Sequence, residues 1–192
     1  MSISLNPQLT AEYESLFGSC LINPAKQNEA VKIKNKIVAN KAVYELVENA
    51  TSVPWFVVAV IHSLEGGLNF KTHLHNGDPL SAKTVHVPKN RPPGKAPFTW
   101  QESAIDALIF DGLSGVQNWP LPVILFKLEG FNGFGYRIRH PEVLTPYLWS
   151  FTNHYQKGKF TQDGKFDPKA VSKQCGAAAI LQVMVADGDI LI

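Results

Sequence analysis

Apolar residues recur at helical spacing along much of the chain, and this pattern predicts a mainly helical protein. A first short helix is expected from Pro7 to Phe17. Across residues 23–49, apolar side chains return every three or four positions between polar ones, which predicts one surface helix packed on a single face. The first 50 residues should therefore form a helical N-terminal part.

The run from Trp55 to Leu64 is apolar on nearly every side. A helix with this pattern is expected to be buried on all faces. Ser52 and Pro54 favour a helix start immediately before it. Gly66 and Gly67 favour a stop immediately after it. The pattern therefore predicts a buried helix with Glu65 at its C-terminal end.

The pattern changes between Asn69 and Pro88, where strand-favouring residues flank the turn sequence Asn76-Gly77-Asp78-Pro79. This favours a small β-hairpin lobe. After it, Thr99 and Glu102 have the spacing of a capping box that opens another helix. Three further segments are then expected: a helix from Pro120 to about Asn132, an aromatic loop from Phe134 to about Phe166, and a final helix from Asp167 to about Ala186.

Composition and charge narrow the class of protein. The chain has 192 residues, of which 45% are hydrophobic and 18% charged. This predicts a single folded domain over 1–192, with the helical part at 1–50 and a core at 51–192. The formal net charge is only +2 and the basic residues are scattered, so nucleic acid is not an expected partner.

The sequence shows no recognisable targeting signal and has only two cysteines. The N-terminus lacks the pattern of a signal peptide and no apolar run is long enough to span a bilayer. We therefore expect a soluble monomer without membrane insertion, made in the cytoplasm and acting on targets in the periplasm or outside the cell. Cys20 and Cys175 form no metal motif, and whether they pair is left open.

The position predicted for Glu65 suits acid catalysis. A carboxyl group at the edge of an apolar helix is costly to ionise, so its pKa is expected to rise. The C-terminal end of a helix is also an unfavourable place for a negative charge. Two glycines after Glu65 would let a substrate approach closely. Glu65 is therefore a candidate general acid for hydrolysis of a glycosidic bond.

Two segments resemble enzymes that cut bacterial cell walls. The sequences VVAVIHSLEGGLNF and LEGFNGFGYR are similar to motifs of the lysozyme superfamily, especially goose-type lysozymes and lytic transglycosylases. The stretch 55–179 also looks like phage- and bacterium-associated lysozyme-like proteins, including endolysins. The resemblance implies a lysozyme-like α+β fold whose small β-lobe flanks the cleft. It also implies cleavage of the β-1,4 bonds of peptidoglycan glycan strands, with Glu65 as the acid and Asn132 and Gly133 lining the glycan groove.

The second catalytic group remains open between two carboxylates. Asp78 lies on the expected hairpin and could hold the attacking water, but it could equally make an Asx turn. Glu102 is the rival, although its capping-box position explains it without catalysis. Glu129 lies inside a predicted helix and is expected to make a solvated pair. If neither Asp78 nor Glu102 faces Glu65, a lytic transglycosylase becomes the alternative.

Other polar residues are candidates for substrate binding. His73 and His75 share one face of a strand, and with Asp78 they form a weak metal pattern; we expect them to bind sugar, with no metal or cofactor required. Tyr136 and Arg137 follow glycines and are expected in the groove. The remaining alternatives are a chitinase or chitosanase of the same fold and a non-catalytic cell-wall-binding module.

Overall fold

A computed structural model describes residues 3–162 and 164–192. Over these residues the protein is mainly α-helical, with one small two-stranded antiparallel sheet. Among the described residues, no helix is both long and apolar enough to cross a membrane. The described helices and strands are α1 (Pro7–Gly18), α2 (Gln27–Ala39), α3 (Lys41–Thr51), α4 (Trp55–Gly66), α5 (Trp100–Phe110), α6 (Leu121–Phe131), α7 (Gly135–Arg139), α8 (Pro146–Trp149), β1 (Lys159–Gln162), β2 (Lys165–Asp167) and α9 (Ala177–Ala186).

The chain folds into two compact units. Unit 2 spans Asn35–Trp119, and unit 1 contains the described residues up to Lys34 together with those from Pro120 onwards. In unit 2, helix α3 packs against α4 and α5. In unit 1, α1 packs against α6, and α6 and α8 both contact α9. The buried helix predicted from the sequence is α4 of unit 2, in which every residue of 55–62 is buried.

The region predicted as one helix over 23–49 is divided into three pieces. Asn23 caps a single 3-10 turn at Pro24–Lys26, which leads into α2. Asn40 then leaves helical geometry, with φ −112° and ψ 16°, and separates α2 from α3. Its side-chain amide donates to the carbonyl of Lys36 at 2.8 Å. An asparagine that bonds a nearby carbonyl in this way competes with the helix, which explains the break.

The β-hairpin predicted at 69–88 is wrong. Residues 69–88, all of which are described, form turns and one isolated bridge between Thr72 and Pro79. The sheet lies instead at β1 and β2, where Phe160 pairs with Phe166 inside the segment expected to be a loop. The sequence contains Asp-Gly at positions 163–164, a dipeptide typical of tight hairpins.

The start of the last helix is also corrected. Asp167 ends β2, and its Oδ1 accepts hydrogen bonds from the backbone N–H groups of Lys169 and Ala170. This is an Asx turn, which uses the same residue type that caps a helix. Helix α9 begins ten residues later, at Ala177. Its small first residues are fully buried in unit 1.

Candidate functional site

Glu65 occupies the last turn of α4, as the sequence predicts. The side chains of Ile61, His62 and Leu64 are buried, whereas Glu65 is exposed. The helix ends because Gly67 adopts a left-handed conformation, with φ 56°, and its N–H donates to the carbonyl of His62. An exposed carboxylate is therefore presented from a helix that is buried along most of its length.

A cluster of four rings lies behind this helix end. The ring of His62 lies 4.4 Å from Trp100 and 4.7 Å from Phe70, and Tyr44 contacts all three rings. The hydroxyl of Tyr44 and Nδ1 of His62 share a hydrogen bond of 3.0 Å. Burial lowers the pKa of His62 to about 4, opposed in part by the nearby backbone of Asn69. The imidazole is therefore neutral at pH 7.

Gly66 lies close to the His62 ring of this cluster. A Cβ atom at position 66 would lie 3.1 Å from Cδ2 of His62, which is closer than most real contacts. The glycine next to Glu65 therefore lets the buried imidazole approach the helix backbone.

The carboxylate of Asp78 binds a neighbouring loop segment. Its Oδ2 accepts hydrogen bonds from the N–H groups of Val85 and His86, and its Oδ1 accepts one from Nδ1 of His86 at 2.6 Å. These bonds, first that from the His86 backbone and then that from its ring, lower the pKa of Asp78 to about 2. Both oxygens of this ionised carboxylate thus hold the segment at 85–86.

Glu102 forms the predicted capping box at the start of α5. The hydroxyl of Thr99 accepts from the N–H of Glu102, and Oε2 of Glu102 accepts from the N–H of Thr99 at 2.7 Å. The Thr99 hydroxyl also lies 2.8 Å from the same Oε2. The backbone bond from Thr99 lowers the pKa of Glu102. Both contacts fall on Oε2, and the side chain is exposed.

The two histidines predicted to bind sugar have partners inside unit 2. Nε2 of His73 donates to the carbonyl of Ala82, and its Nδ1 accepts from the hydroxyl of Ser103, each at 2.8 Å. Nε2 of His75 donates to Asp106 at 2.8 Å. His73 is buried, and its two nitrogens are used in these contacts. Over the residues described, no grouping of three or more His, Cys, Asp or Glu side chains has the arrangement of a metal site.

Sequence reasoning missed the partners of these histidines. Ser103 and Asp106 are three residues apart on α5 and therefore share one face of the helix. Asp106 also binds Arg91 through Nε at 2.9 Å and through its terminal nitrogen. Burial lowers the pKa of His75 despite the opposing effect of Asp106. The three-residue spacing of Ser103 and Asp106 is the signal that could have identified this face.

In unit 1, three residues predicted to bind substrate line one cavity. Asn132, Gly133 and Tyr136 border a space of about 470 Å³. Gly133 adopts a left-handed conformation there, with φ 79°. This volume lies within the range of small-molecule sites in proteins. The remaining lining residues supply cations, amides, hydroxyls, rings and further glycines: Gly135, Arg139, Pro146, Tyr147, Lys159, Phe160, Gln162, Gly164, Ser172 and Gln174.

Tyr136 is held by the small sheet. Its hydroxyl accepts a hydrogen bond from the N–H of Phe160 at 3.1 Å, and the two rings are 5.1 Å apart. Burial raises the pKa of Tyr136. The sheet of β1 and β2, which the sequence does not predict, therefore positions Tyr136 in this cavity.

Arg137 does not line that cavity and instead joins a buried ion pair. Its Nε lies 2.8 Å from Oε1 of Glu129, and its terminal nitrogen donates to Glu12 at 2.8 Å. Glu129 is only 1% exposed, so the expected solvated pair is wrong. Helix α6 directs Glu129 inward, where it also accepts a hydrogen bond from Tyr13. Arg137 and Glu129 border a smaller space of about 250 Å³.

Both cysteines are buried free thiols. Burial raises the pKa of Cys20 to about 11 and that of Cys175 to about 12. Both thiols are therefore protonated at neutral pH and are poor nucleophiles.

Comparison with known proteins adds no relative to this picture. No family model matches the chain, and neither the search of curated proteins nor that of solved structures finds a match.

Proposed function

We propose that the chain is a lysozyme-like glycosidase that cleaves the β-1,4 bonds of peptidoglycan, with Glu65 as the proton donor. The observation that carries this proposal is the placement of Glu65. It is an exposed carboxylate on the last turn of a helix that is otherwise buried, at the helix end where the macrodipole disfavours a negative charge. Catalytic groups are best held on such well-packed elements.

The unit 1 cavity supports a glycan ligand of this class. Asn132 and Gln162 supply amides that can bond hydroxyl and N-acetyl groups, and Tyr136 and Phe160 supply rings for sugar faces. Arg139 and Lys159 supply two cations. Peptidoglycan carries carboxylates on its lactyl-peptide arms, whereas chitin carries none. These cations therefore favour peptidoglycan over chitin as the ligand of this cavity.

Glu102 is the better of the two candidates for the water-activating group. Both oxygens of Asp78 accept local hydrogen bonds, and a carboxylate with a pKa of about 2 is a weak base. The contacts of Glu102 fall on Oε2, which leaves Oε1 as the atom to receive a proton from water. In this mechanism Glu65 protonates the leaving oxygen while Glu102 directs water to the sugar.

A lytic transglycosylase is the second candidate, because Asp78 and Glu102 both have structural roles in unit 2. In that reaction Glu65 first protonates the leaving oxygen. As a carboxylate, it then removes the proton of the sugar's own 6-hydroxyl, which closes a 1,6-anhydro ring. Water takes no part in this reaction.

One experiment tests the proposal and separates the two reactions. Purified peptidoglycan is incubated with wild type, Glu65→Gln or Glu102→Gln, and the released fragments are identified by mass spectrometry. Glutamine at position 102 retains the capping box but cannot act as a base. The proposal predicts reducing-end fragments from wild type and none from either variant. Anhydro fragments from wild type and from Glu102→Gln would establish the transglycosylase.

A further inference from the structure

A basic loop in unit 2 stands outside the proposed chemistry. It comprises residues 83–95 and contains Lys83, Lys89, Arg91 and Lys95. The sequence has no acidic residue from Pro79 to Gln101. The three lysines are all exposed. Arg91 is paired with Asp106, so among the described residues the three exposed lysines supply the unpaired positive charge of this segment, in a chain whose net charge is only +2.

Two valines are exposed between these cations. Val85 is 65% exposed and Val87 is 81% exposed. Nearby, Arg91 lies over the ring of Phe110, which is 54% exposed. Single exposed apolar residues are ordinary on protein surfaces, but alternate valines set among lysines make an amphipathic surface. Such a surface fits a partner with both an apolar and an anionic component.

The loop is held in place by hydrogen bonds at its base. The N–H of Thr84 donates to the carbonyl of Arg91, and the N–H of Asn90 donates to the carbonyl of Thr84, each at 2.8 Å. Asp78 binds the N–H groups of Val85 and His86 on the other side. These bonds fix a conformation in which the valine side chains remain in water. The two valines are therefore held at the surface, next to the lysines of the same loop.

We propose that the basic loop docks the protein on the surface of an anionic phospholipid bilayer. The lysines would contact lipid phosphates, while Val85 and Val87 enter the interfacial layer beneath them. A purely hydrophilic polyanion would account for the lysines but not for the exposed valines, so a bilayer is the better fit. This inference is independent of the glycosidase proposal, because none of these side chains is assigned a role in bond cleavage.

Sedimentation of the full chain with lipid vesicles tests the proposal. Wild type is mixed with vesicles of phosphatidylcholine alone or with about one third phosphatidylglycerol, at low salt and at about 0.5 M salt. We expect binding only to the anionic vesicles, and its loss at high salt because the charges are screened. The triple variant K83Q/K89Q/K95Q should bind more weakly by about five-fold for each lysine removed.

Matched variants separate the loop from general charge and hydrophobicity. K157Q/K169Q/K173Q removes three exposed lysines of unit 1 and should leave binding unchanged. V85S/V87S should weaken binding about ten-fold, whereas V171S/L191S, which alters two exposed apolar residues elsewhere, should not. Thermal unfolding confirms that each variant is folded. Equal losses in loop and control variants, equal binding to neutral vesicles, no vesicle binding by folded wild type, or binding to cell-wall polymer alone would overturn the proposal.

Discussion

The hydroxyl of Tyr13 donates a hydrogen bond of 2.6 Å to Oε2 of Glu129, across 116 positions of the sequence. This contact joins α1 to α6 inside unit 1. Burial and the adjacent carboxylate raise the pKa of Tyr13, so the phenol remains a donor at every ordinary pH. Arg137 completes the cluster through its ion pair with Glu129. Glu129 therefore stabilises the fold instead of acting as a spare catalytic carboxylate.

Removing either partner of this contact should destabilise unit 1. Tyr13→Phe should lower the free energy of unfolding by about 2 kcal/mol, because a hydrogen bond to a buried charge is lost. Glu129→Gln should lower it by about 3 kcal/mol, because the guanidinium of Arg137 loses a charged partner. Urea unfolding of both single variants and the double variant measures the coupling. Strictly additive losses would contradict a direct Tyr13–Glu129 interaction.

The buried imidazole of His62 should make stability depend on pH. Its folded pKa of about 4 lies below the ordinary value of 6.5, so the unfolded chain binds more protons between these values. Stability should therefore be complete above about pH 6.5 and fall by about 3 kcal/mol towards pH 4, at 1.36 kcal/mol per pKa unit. Urea unfolding measured at several pH values across this range should show that the free energy of unfolding of His62→Phe depends less steeply on pH than that of wild type. An identical slope in both proteins would exclude His62 as the cause.

Asp78 is stabilised in its charged form, whereas His62 is stabilised in its neutral form. The contribution of Asp78 to stability is lost at a lower pH than that of His62. The folded pKa of Asp78 is about 2 against an ordinary 3.8, so its stabilising effect is present above pH 3.8 and is lost as pH falls towards 2. Asp78→Asn should reduce the melting temperature at pH 5 to 7, and the difference from wild type should shrink below pH 3.8. Amide hydrogen exchange at Val85 and His86 should become faster. Glu14→Gln, an exposed helical control, should change none of these quantities.

Gly176 offers a steric test of the packing in unit 1. A Cβ atom there would lie 2.5 Å from the carbonyl oxygen of Leu148 and 2.7 Å from the nitrogen of Ser150, and backbone cannot move aside easily. Gly176→Ala should lower the free energy of unfolding by about 1–3 kcal/mol, which is typical of overpacking. Gly18→Ala is the control, since nothing lies within 4 Å of its Cβ position. Equal melting temperatures for the two variants would disprove this close approach.

Local features were the ones that the sequence predicted well. The end of α4 depends on Gly67, and the start of α5 depends on Thr99 and Glu102, all of which act on their own neighbours in the chain. The hairpin was misplaced because residues such as Thr72 and Val85 favour strands, whereas the bonds of Asp78 hold this region in turns. Local strand propensity is overridden where side chains, instead of a neighbouring strand, accept the hydrogen bonds of the backbone N–H groups.

The contacts that determine the roles of site residues depend on distant positions. Glu129 was expected to be solvated because its partner Tyr13 lies far away in sequence. The sequence places Arg137 in a groove because it shows neither that Glu12, 125 positions away, is a partner nor that Glu129 points inward from α6. Asn132, Gly133 and Tyr136 line one cavity, and one short motif contains all three.

The most direct test of the proposed function is the release of dye-labelled fragments from purified cell walls by wild type and Glu65→Gln. The substitution retains the size of the side chain and removes the proton that the mechanism requires. Glu14→Gln serves as the control on an exposed helical glutamate. The account predicts release by wild type and Glu14→Gln, and a loss of at least about 100-fold in folded Glu65→Gln. Equal release by all three proteins would contradict the assignment of Glu65 as the catalytic acid.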